Sequence, residues 1–458
     1  MKHLLSLLVA VVIATVNCGA QEIASSESWS GEIAVGTQKL NIGFTIQTLS
    51  DGKQICTMDI PEQGAKDLPV EIVKNDSENL NLSISMLRAN YEGKKVSAES
   101  IEGVFSQNGM SLPLNLKPGE VELSRPQTPK PPFAYITEEV TFRNEAENAV
   151  LSGTLTYPVN YEDYEKGSVP VVLMVTGSGA QDRNEEIFGH KPFLVIADFL
   201  AKNGIASLRY DDRGVGKSTG TTEGTTTENN LADAEAGISY LRGLNKFGKI
   251  GVLGHSEGGT VAFMMGANNS VDFLVSLAGG AAAGIDIIVG QNEALFQLSG
   301  LSRQMVSDYS TALKVLYKDR IKGKKVKDTS KYVEKICKKN DLMLSDDLKT
   351  NLEACISGGG EWFTWFLGYE PKNAIRKITC PVMALNGKLD LQVISDDNLP
   401  VIRENLPYNE RNLIKEYESL NHLFQHCTLA TALAYGSIEE TISMEVLNDI
   451  VSWIGSIK

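Results

Sequence analysis

The sequence predicts an α/β protein: a mostly parallel sheet with helices on both faces and a helical cap insertion, preceded by a small all-β barrel or sandwich. Three observations carry that prediction. Residues 29–116 alternate apolar and polar side chains with period two, and beyond residue 135 short β-branched runs alternate with helical patterns. Between residues 280 and 369 helical periodicity runs on without a convincing strand. At 458 residues the chain has room for two or three domains. Its 57 acidic against 43 basic side chains, a net charge of −14, exclude a nonspecific nucleic-acid binder, which needs a basic face.

The first segment is a targeting signal by its pattern. Met1, Lys2 and His3 make a short basic start, residues 4–16 are apolar, and Cys18, Gly19 and Ala20 are small. Residues 1–20 are therefore expected to be a signal peptide of an exported protein, periplasmic or secreted. A lipid anchor on Cys18 is the alternative, disfavoured by Asn17 in front of it. The apolar run is shorter than the roughly 20 residues a spanning helix needs, and no later segment is longer and as apolar, so no transmembrane segment is expected.

Residues 21–117 form the expected all-β domain. Leu40, Ile42, Phe44 and Ile46 alternate with polar neighbours, as do Leu80, Leu82, Ile84 and Met86, then Met110, Leu112, Leu114 and Leu116. Asp51-Gly52, Asn75-Asp76 and Asn108-Gly109 supply the turns. No histidine falls within residues 29–116, so this domain reads as an accessory module, with ligand binding as the alternative. Residues 118–134 hold Pro118, Pro126, Pro129, Pro131 and Pro132, the composition of a stiff linker.

Residues 135–458 change texture. A strand pair at 139–144 and 150–157 is followed by apolar runs at 169–175, 205–210, 249–253, 273–277 and 381–385, the pattern of a parallel sheet buried on both faces. Ligands of such sheets bind beyond the carboxyl ends of the strands. The helical cap occupies about 281–370, and the aromatic cluster near its end makes Trp362, Phe363 and Phe366 pocket candidates, or else pins that pin the cap to the body. Beyond the signal the cysteines are Cys56, Cys337, Cys355, Cys380 and Cys427. Cys337 and Cys355 fall in one helical segment, and a disulfide between them stays open. With no CxxC or Cys/His cluster, no metal site is expected.

Chemistry enters at Gly254-His255-Ser256-Glu257-Gly258-Gly259, between an apolar strand and a helical pattern. A serine on a sharp strand-to-helix turn projects its hydroxyl above the sheet, provided that glycine stands two residues before and after it. The turn also points the Glu257 amide at a developing oxyanion. The serine needs a general base, and the chain holds only 5 histidines. His3 lies in the signal; His255 lies within the turn and reads as packing; His190 precedes the nucleophile and is a pocket candidate rather than the base. His422 and His426 remain, with His422 favoured for its loop position and His426 placed on the helix behind it. Asp390, in the turn leaving the strand at 381–385, is the candidate carboxylate, with Asp396 and Asp397 as rivals at a helix start. Thr176-Gly177-Ser178-Gly179 leaves the first core strand, and the Ser178 amide is the candidate second oxyanion donor.

These signatures resemble the α/β-hydrolase superfamily over about residues 135–458, more narrowly exported carboxylesterases and serine aminopeptidase-like hydrolases with an N-terminal β-rich domain. The residues that carry the resemblance are Gly177-Ser178-Gly179-Ala180-Gln181-Asp182-Arg183, Arg209-Tyr210-Asp211-Asp212-Arg213-Gly214-Val215-Gly216-Lys217-Ser218, the Ser256 turn, Asn386-Gly387 with Asp390, and Asn421-His422. The resemblance implies that the segment from Arg209 braces the active-site floor. It also implies ester hydrolysis through a Ser256–His422–Asp390 triad and an acyl-enzyme, with no cofactor, on a small-molecule ester, a peptide or an acylated carbohydrate. Amide hydrolysis, acyl transfer and a noncatalytic binding role remain as alternatives; a carboxylate at Glu257, Glu361 or Asp182 would serve an aminopeptidase by holding the substrate ammonium.

Overall fold

The computed structural model describes residues 23–35, 38–121 and 123–457. The expected signal peptide, with Cys18, lies outside the described residues. The chain divides into two compact units, one of Met1–Pro126 with Ile187–His190 and Ala434–Glu439, the other of Gln127–Glu186, Lys191–Leu433 and Glu440–Lys458.

The first unit is an antiparallel meander of strands from Ile23–Val35 to Met110–Pro113. It curls because the segment after Pro113 serves both ends of the sheet: Leu116 bridges Ile101, and Lys117–Pro118 pairs with the strand Ile23–Val35. The period-two pattern puts Ile42, Phe44, Ile46, Leu80, Leu82, Ile84, Leu114 and Leu116 in one core. Met86 and Met110 depart from that expectation, being 65% and 45% exposed. Alternation stops at Ile84 because the chain enters the single 3-10 turn Ser85–Leu87. Asn108 and Gly109 both take positive φ, +50° and +79°, the type I′ geometry that closes a two-residue hairpin. Two side chains of the proline-rich segment are anchored, each within its own unit. Arg125 donates to the carbonyls of Phe188 and Gly436 at 2.8 and 2.7 Å inside the first unit, and Gln127 accepts from the amide of Ile442 inside the second.

The second unit holds an eight-stranded sheet in the order Thr137–Asn144, Ala149–Thr156, Ala206–Tyr210, Val171–Val175, Ile250–His255, Phe273–Leu277, Val382–Gly387, Leu413–Tyr417. Ala149–Thr156 pairs antiparallel with both its neighbours, and the other pairings are parallel. The edge strand Leu413–Tyr417 has no counterpart in the sequence reading, since Lys415 and Glu416 break its apolar run. Such charges suit an edge, where one flank is unpaired. Helices on both faces bury two cores, one around Leu173, Val252 and Phe263 and the other around Met174, Leu253, Phe273 and Ile454. From Val171–Val175 the chain winds to one side, then crosses to Ile250–His255 on the other, which opens a crevice at the carboxyl ends of these two neighbours.

The insertion is helical as expected: Gly284–Leu298, Arg303–Ile321, Thr329–Asn340, Asp346–Ser357, Gly360–Gly368 and Lys372–Ile375. It has its own core of Tyr309, Leu313, Leu316, Val333 and Leu352. Cys337 and Cys355 stand on two successive helices rather than one, and both are free thiols. No helix among the described residues is long and apolar enough to cross a membrane.

Candidate active site

Ser256 ends the strand Ile250–His255 and begins the helix Glu257–Ala267 at φ +52°, ψ −116°, a conformation that a residue with a β-carbon adopts only when its surroundings enforce it. The enforcement is tight packing around the turn. A β-carbon on Gly254 would stand 1.9 Å from the Gly258 carbonyl oxygen, and one on Gly258 would stand 2.1 Å from that of Val175. The helix start therefore presses onto its own strand and onto the neighbouring one. The Ser256 amide donates to the Leu277 carbonyl at 2.9 Å, while its side chain caps nothing.

Asp390 and His422 meet across the next two strand ends. His422 Nδ1 lies 2.8 Å from Asp390 Oδ2, with the two side chains 4% and 0% exposed. The other carboxylate oxygen accepts the amides of Gln392 and Val393 at 2.8 and 2.9 Å. With both oxygens held, Asp390 fixes the Nδ1 edge of the imidazole and leaves Nε2 outside their contact. Gly387 makes this meeting possible, since a β-carbon there would lie 2.2 Å from the Leu420 carbonyl oxygen. Asn421 folds the histidine loop by accepting the amides of Leu423 and Gln425, each at 3.0 Å. The rivals stand elsewhere. His426 is 54% exposed and paired with Glu440 at 2.8 Å, and Asp396 pairs with Lys388 at 2.5 Å.

The loop from Thr176 passes beside the nucleophile: a β-carbon on Gly177 would lie 3.2 Å from Ser256 Cβ. Its amides are sorted by their partners. That of Gly177 donates to Glu185 Oε1 at 2.7 Å and that of Gln181 to Asp212 at 2.9 Å. Asp211 binds Arg183 at 2.7 Å and Arg213 binds Asp233 at 2.8 Å, so the segment from Arg209 braces this loop and the helix behind it. Burial pushes the Asp212 carboxyl up to about 7, against hydrogen bonds from the Gln181 amide and Thr176 hydroxyl.

The pocket candidates separate. Trp362 donates its indole N–H to Glu257, the residue after Ser256, at 3.0 Å and stacks on Phe366 at 5.5 Å. Phe363 touches Trp362, with ring centroids 6.1 Å apart, but it also packs edge-on against Tyr317 and beneath Arg320 inside the cap, because its place on the helix turns it towards the insertion's own core. His190 is no pocket residue either. It is fully buried in the first unit with Nε2 3.1 Å from the Tyr435 carbonyl, and its pKa falls to about 4 through burial and then Arg125. Two side chains were misjudged or missed from sequence. His255, expected to be mere packing, is hydrogen-bonded at both ring nitrogens, and one partner is the buried Glu185. Nothing in spacing marks Glu185; only a charged side chain close behind the Gly177 loop was available as a signal.

The sheet order, the strained serine at its switch point and the paired aspartate and histidine define an α/β-hydrolase of the serine hydrolase class. The chain belongs to the X-Pro dipeptidyl-peptidase (S15) family, whose profile matches residues 148–398. It is 25% identical over 273 residues to an esterase, EstD, of Thermotoga maritima, a match covering 60% of this chain and 58% of that protein, so the chain spans less than two thirds of that relative. Among solved structures it is similar to the esterase Pf2001 of Pyrococcus furiosus, with a TM-score of 0.40, 16% identity and coverage of 70% of this chain and 93% of the other. Est1E of Butyrivibrio proteoclasticus with bound ferulic acid gives a TM-score of 0.42 and 16% identity, covering 69% and 99%.

Proposed function

We propose that this chain is an exported serine hydrolase that cleaves carboxylic esters of small molecules through an acyl-enzyme. Ser256 Oγ attacks the ester carbonyl while His422 Nε2 takes its proton; His422 returns that proton to the leaving alcohol, and water then releases the acid by the same route. Asp390 holds the imidazole and offsets the charge it gains. The Ser178 and Glu257 amides receive the oxyanion. The observation that carries the reading is the strained Ser256 turn together with the 2.8 Å contact of His422 and Asp390. Residues 1–20 support export through their basic, apolar and small-residue order.

The family description favours a second reading, amide cleavage on short peptides, which shares the acyl-enzyme. The occupancy of two of the three candidate carboxylates, Glu257 and Asp182, favours the ester. Glu257 already accepts Thr227 Oγ1 at 2.6 Å and Asn230 Nδ2 at 3.4 Å as well as the Trp362 indole, which leaves little capacity for a substrate ammonium. Asp182 is likewise engaged, by the Glu186 amide and the Asn184 side chain. Kinetics on p-nitrophenyl acyl esters beside dipeptidyl amides with proline next to the cleaved bond decide between the two, and a higher kcat/KM on the amides overturns the ester reading. Ser256→Ala is expected to lose ester turnover and fluorophosphonate labelling while keeping its circular dichroism; retained turnover removes Ser256 from the mechanism.

A further inference from the structure

Beside the triad lies a second buried acid–histidine pair that the reaction as written does not use. His255 and Glu185 have side chains 9% and 5% exposed, and His255 Nδ1 lies 3.0 Å from Glu185 Oε1. The other ring nitrogen, Nε2, lies 3.0 Å from the backbone carbonyl oxygen of His422. A carbonyl oxygen only accepts, so Nε2 carries a hydrogen, and a second proton on the ring would sit on Nδ1, facing the carboxylate. Burial opposes that second proton, yet the Glu185 charge and the bonds to Glu185 and the His422 carbonyl outweigh it, and the pKa of His255 is raised. Glu185 Oε1 also accepts the Gly177 amide, and Glu185 itself sits at φ +52°, a left-handed conformation held against its own preference. The pair thus ties together three pieces of chain: the loop that presents the Ser178 amide, the turn that presents Ser256, and the loop that presents His422.

We propose that Glu185 and His255 are positioning residues that set the oxyanion loop and the catalytic base around Ser256, acting through the Gly177 amide and the His422 carbonyl without touching substrate. The inference rests on the triad reading above. It has an electrostatic corollary. His422 must gain a positive charge in the reaction; the His255 ring lies 4.8 Å from it, and Asp390 Oδ2 lies 2.8 Å from its Nδ1. A proton on His255 opposes that charge, and the carboxylate beside it offsets the opposition. Position and charge balance therefore come from the same two side chains.

The test uses His255→Gln, Glu185→Gln and the double variant, each assayed per active site titrated with a fluorophosphonate so that unfolded molecules do not count. His255→Gln leaves the Glu185 charge without its partner; kcat is expected to fall roughly ten- to hundredfold at little change in KM, and the acid limb of kcat/KM to move to higher pH. The double variant restores neutrality, so its acid limb returns towards the starting position although kcat stays low. A purely structural pair would lower Tm in all three while titrated kcat and the acid limb stay at the starting values, and that result overturns the proposal. The two readings fail separately. An active Ser256→Ala removes the triad; an inactive Ser256→Ala with His255→Gln unchanged per titrated site removes only the positioning pair.

Discussion

Ser256 stores strain where the proposed reaction needs its hydroxyl. A side chain held in a sparsely populated backbone region costs about 1–3 kcal/mol, and Ser256 at φ +52°, ψ −116° is held there by the contacts of Gly254 and Gly258. Ser256→Gly should therefore raise Tm while abolishing turnover; a lower Tm would show that the turn is not strained. Gly258→Ala should do the opposite, since its β-carbon meets the Val175 carbonyl at 2.1 Å, and soluble yield and Tm should both drop. Asp390→Asn should keep the fold but lower kcat by about 10⁴-fold through the wrong imidazole tautomer, read by single-turnover kinetics. At this scale the sequence was most legible: glycines, serine, aspartate and histidine carry their geometry in residue type and spacing. His255 was not legible, because whether a histidine beside the nucleophile packs or pairs depends on Glu185, which only the folded loop brings to it.

Loops and helices around the site act as braces, and each brace has its own signature. The cap helix Gly360–Gly368 is tethered to the nucleophile's helix through the Trp362 indole on Glu257. Trp362→Phe keeps the ring and deletes the donor, so KM for long acyl esters should change by severalfold more than KM for acetate. Equal effects on both would place Trp362 outside the substrate path. The loop of Thr176 to Gln181 leans on Asp212, whose pKa of about 7 in the folded protein stands above the ordinary 3.8. A raised carboxyl contributes stability that is full below pH 3.8 and lost as pH rises to about 7. Tm of the unaltered protein should therefore decline across that window relative to Asp212→Asn; parallel Tm profiles would assign the pH dependence elsewhere. The core strands were legible as apolar runs, whereas the edge strand Leu413–Tyr417 was not, since its charged residues erase the pattern that burial imposes on its neighbours.

At the scale of the molecule, the first unit is not one continuous stretch of chain. Ile187–His190 and Ala434–Glu439 belong to it, with Phe188 stacked on Tyr435 and a β-carbon on Gly436 set to clash with Glu62 at 2.5 Å. A chain beginning at Gln127 should therefore expose Phe188 and Tyr435, bind a hydrophobic dye more strongly and lose Tm, whereas an unchanged Tm would show those segments to stand without the β unit. By itself the sequence determined the two textures, the helical insertion and the glycine-flanked Ser256 turn, because periodicity and glycine spacing are local consequences of secondary structure. Tertiary structure alone decided which histidines stay buried, which cap aromatics turn towards Glu257, where the proline-rich segment docks, and that a second acid–histidine pair stands beside the first. Those outcomes depend on contacts between residues far apart in the chain, and the free energy of such a contact is written in neither partner alone.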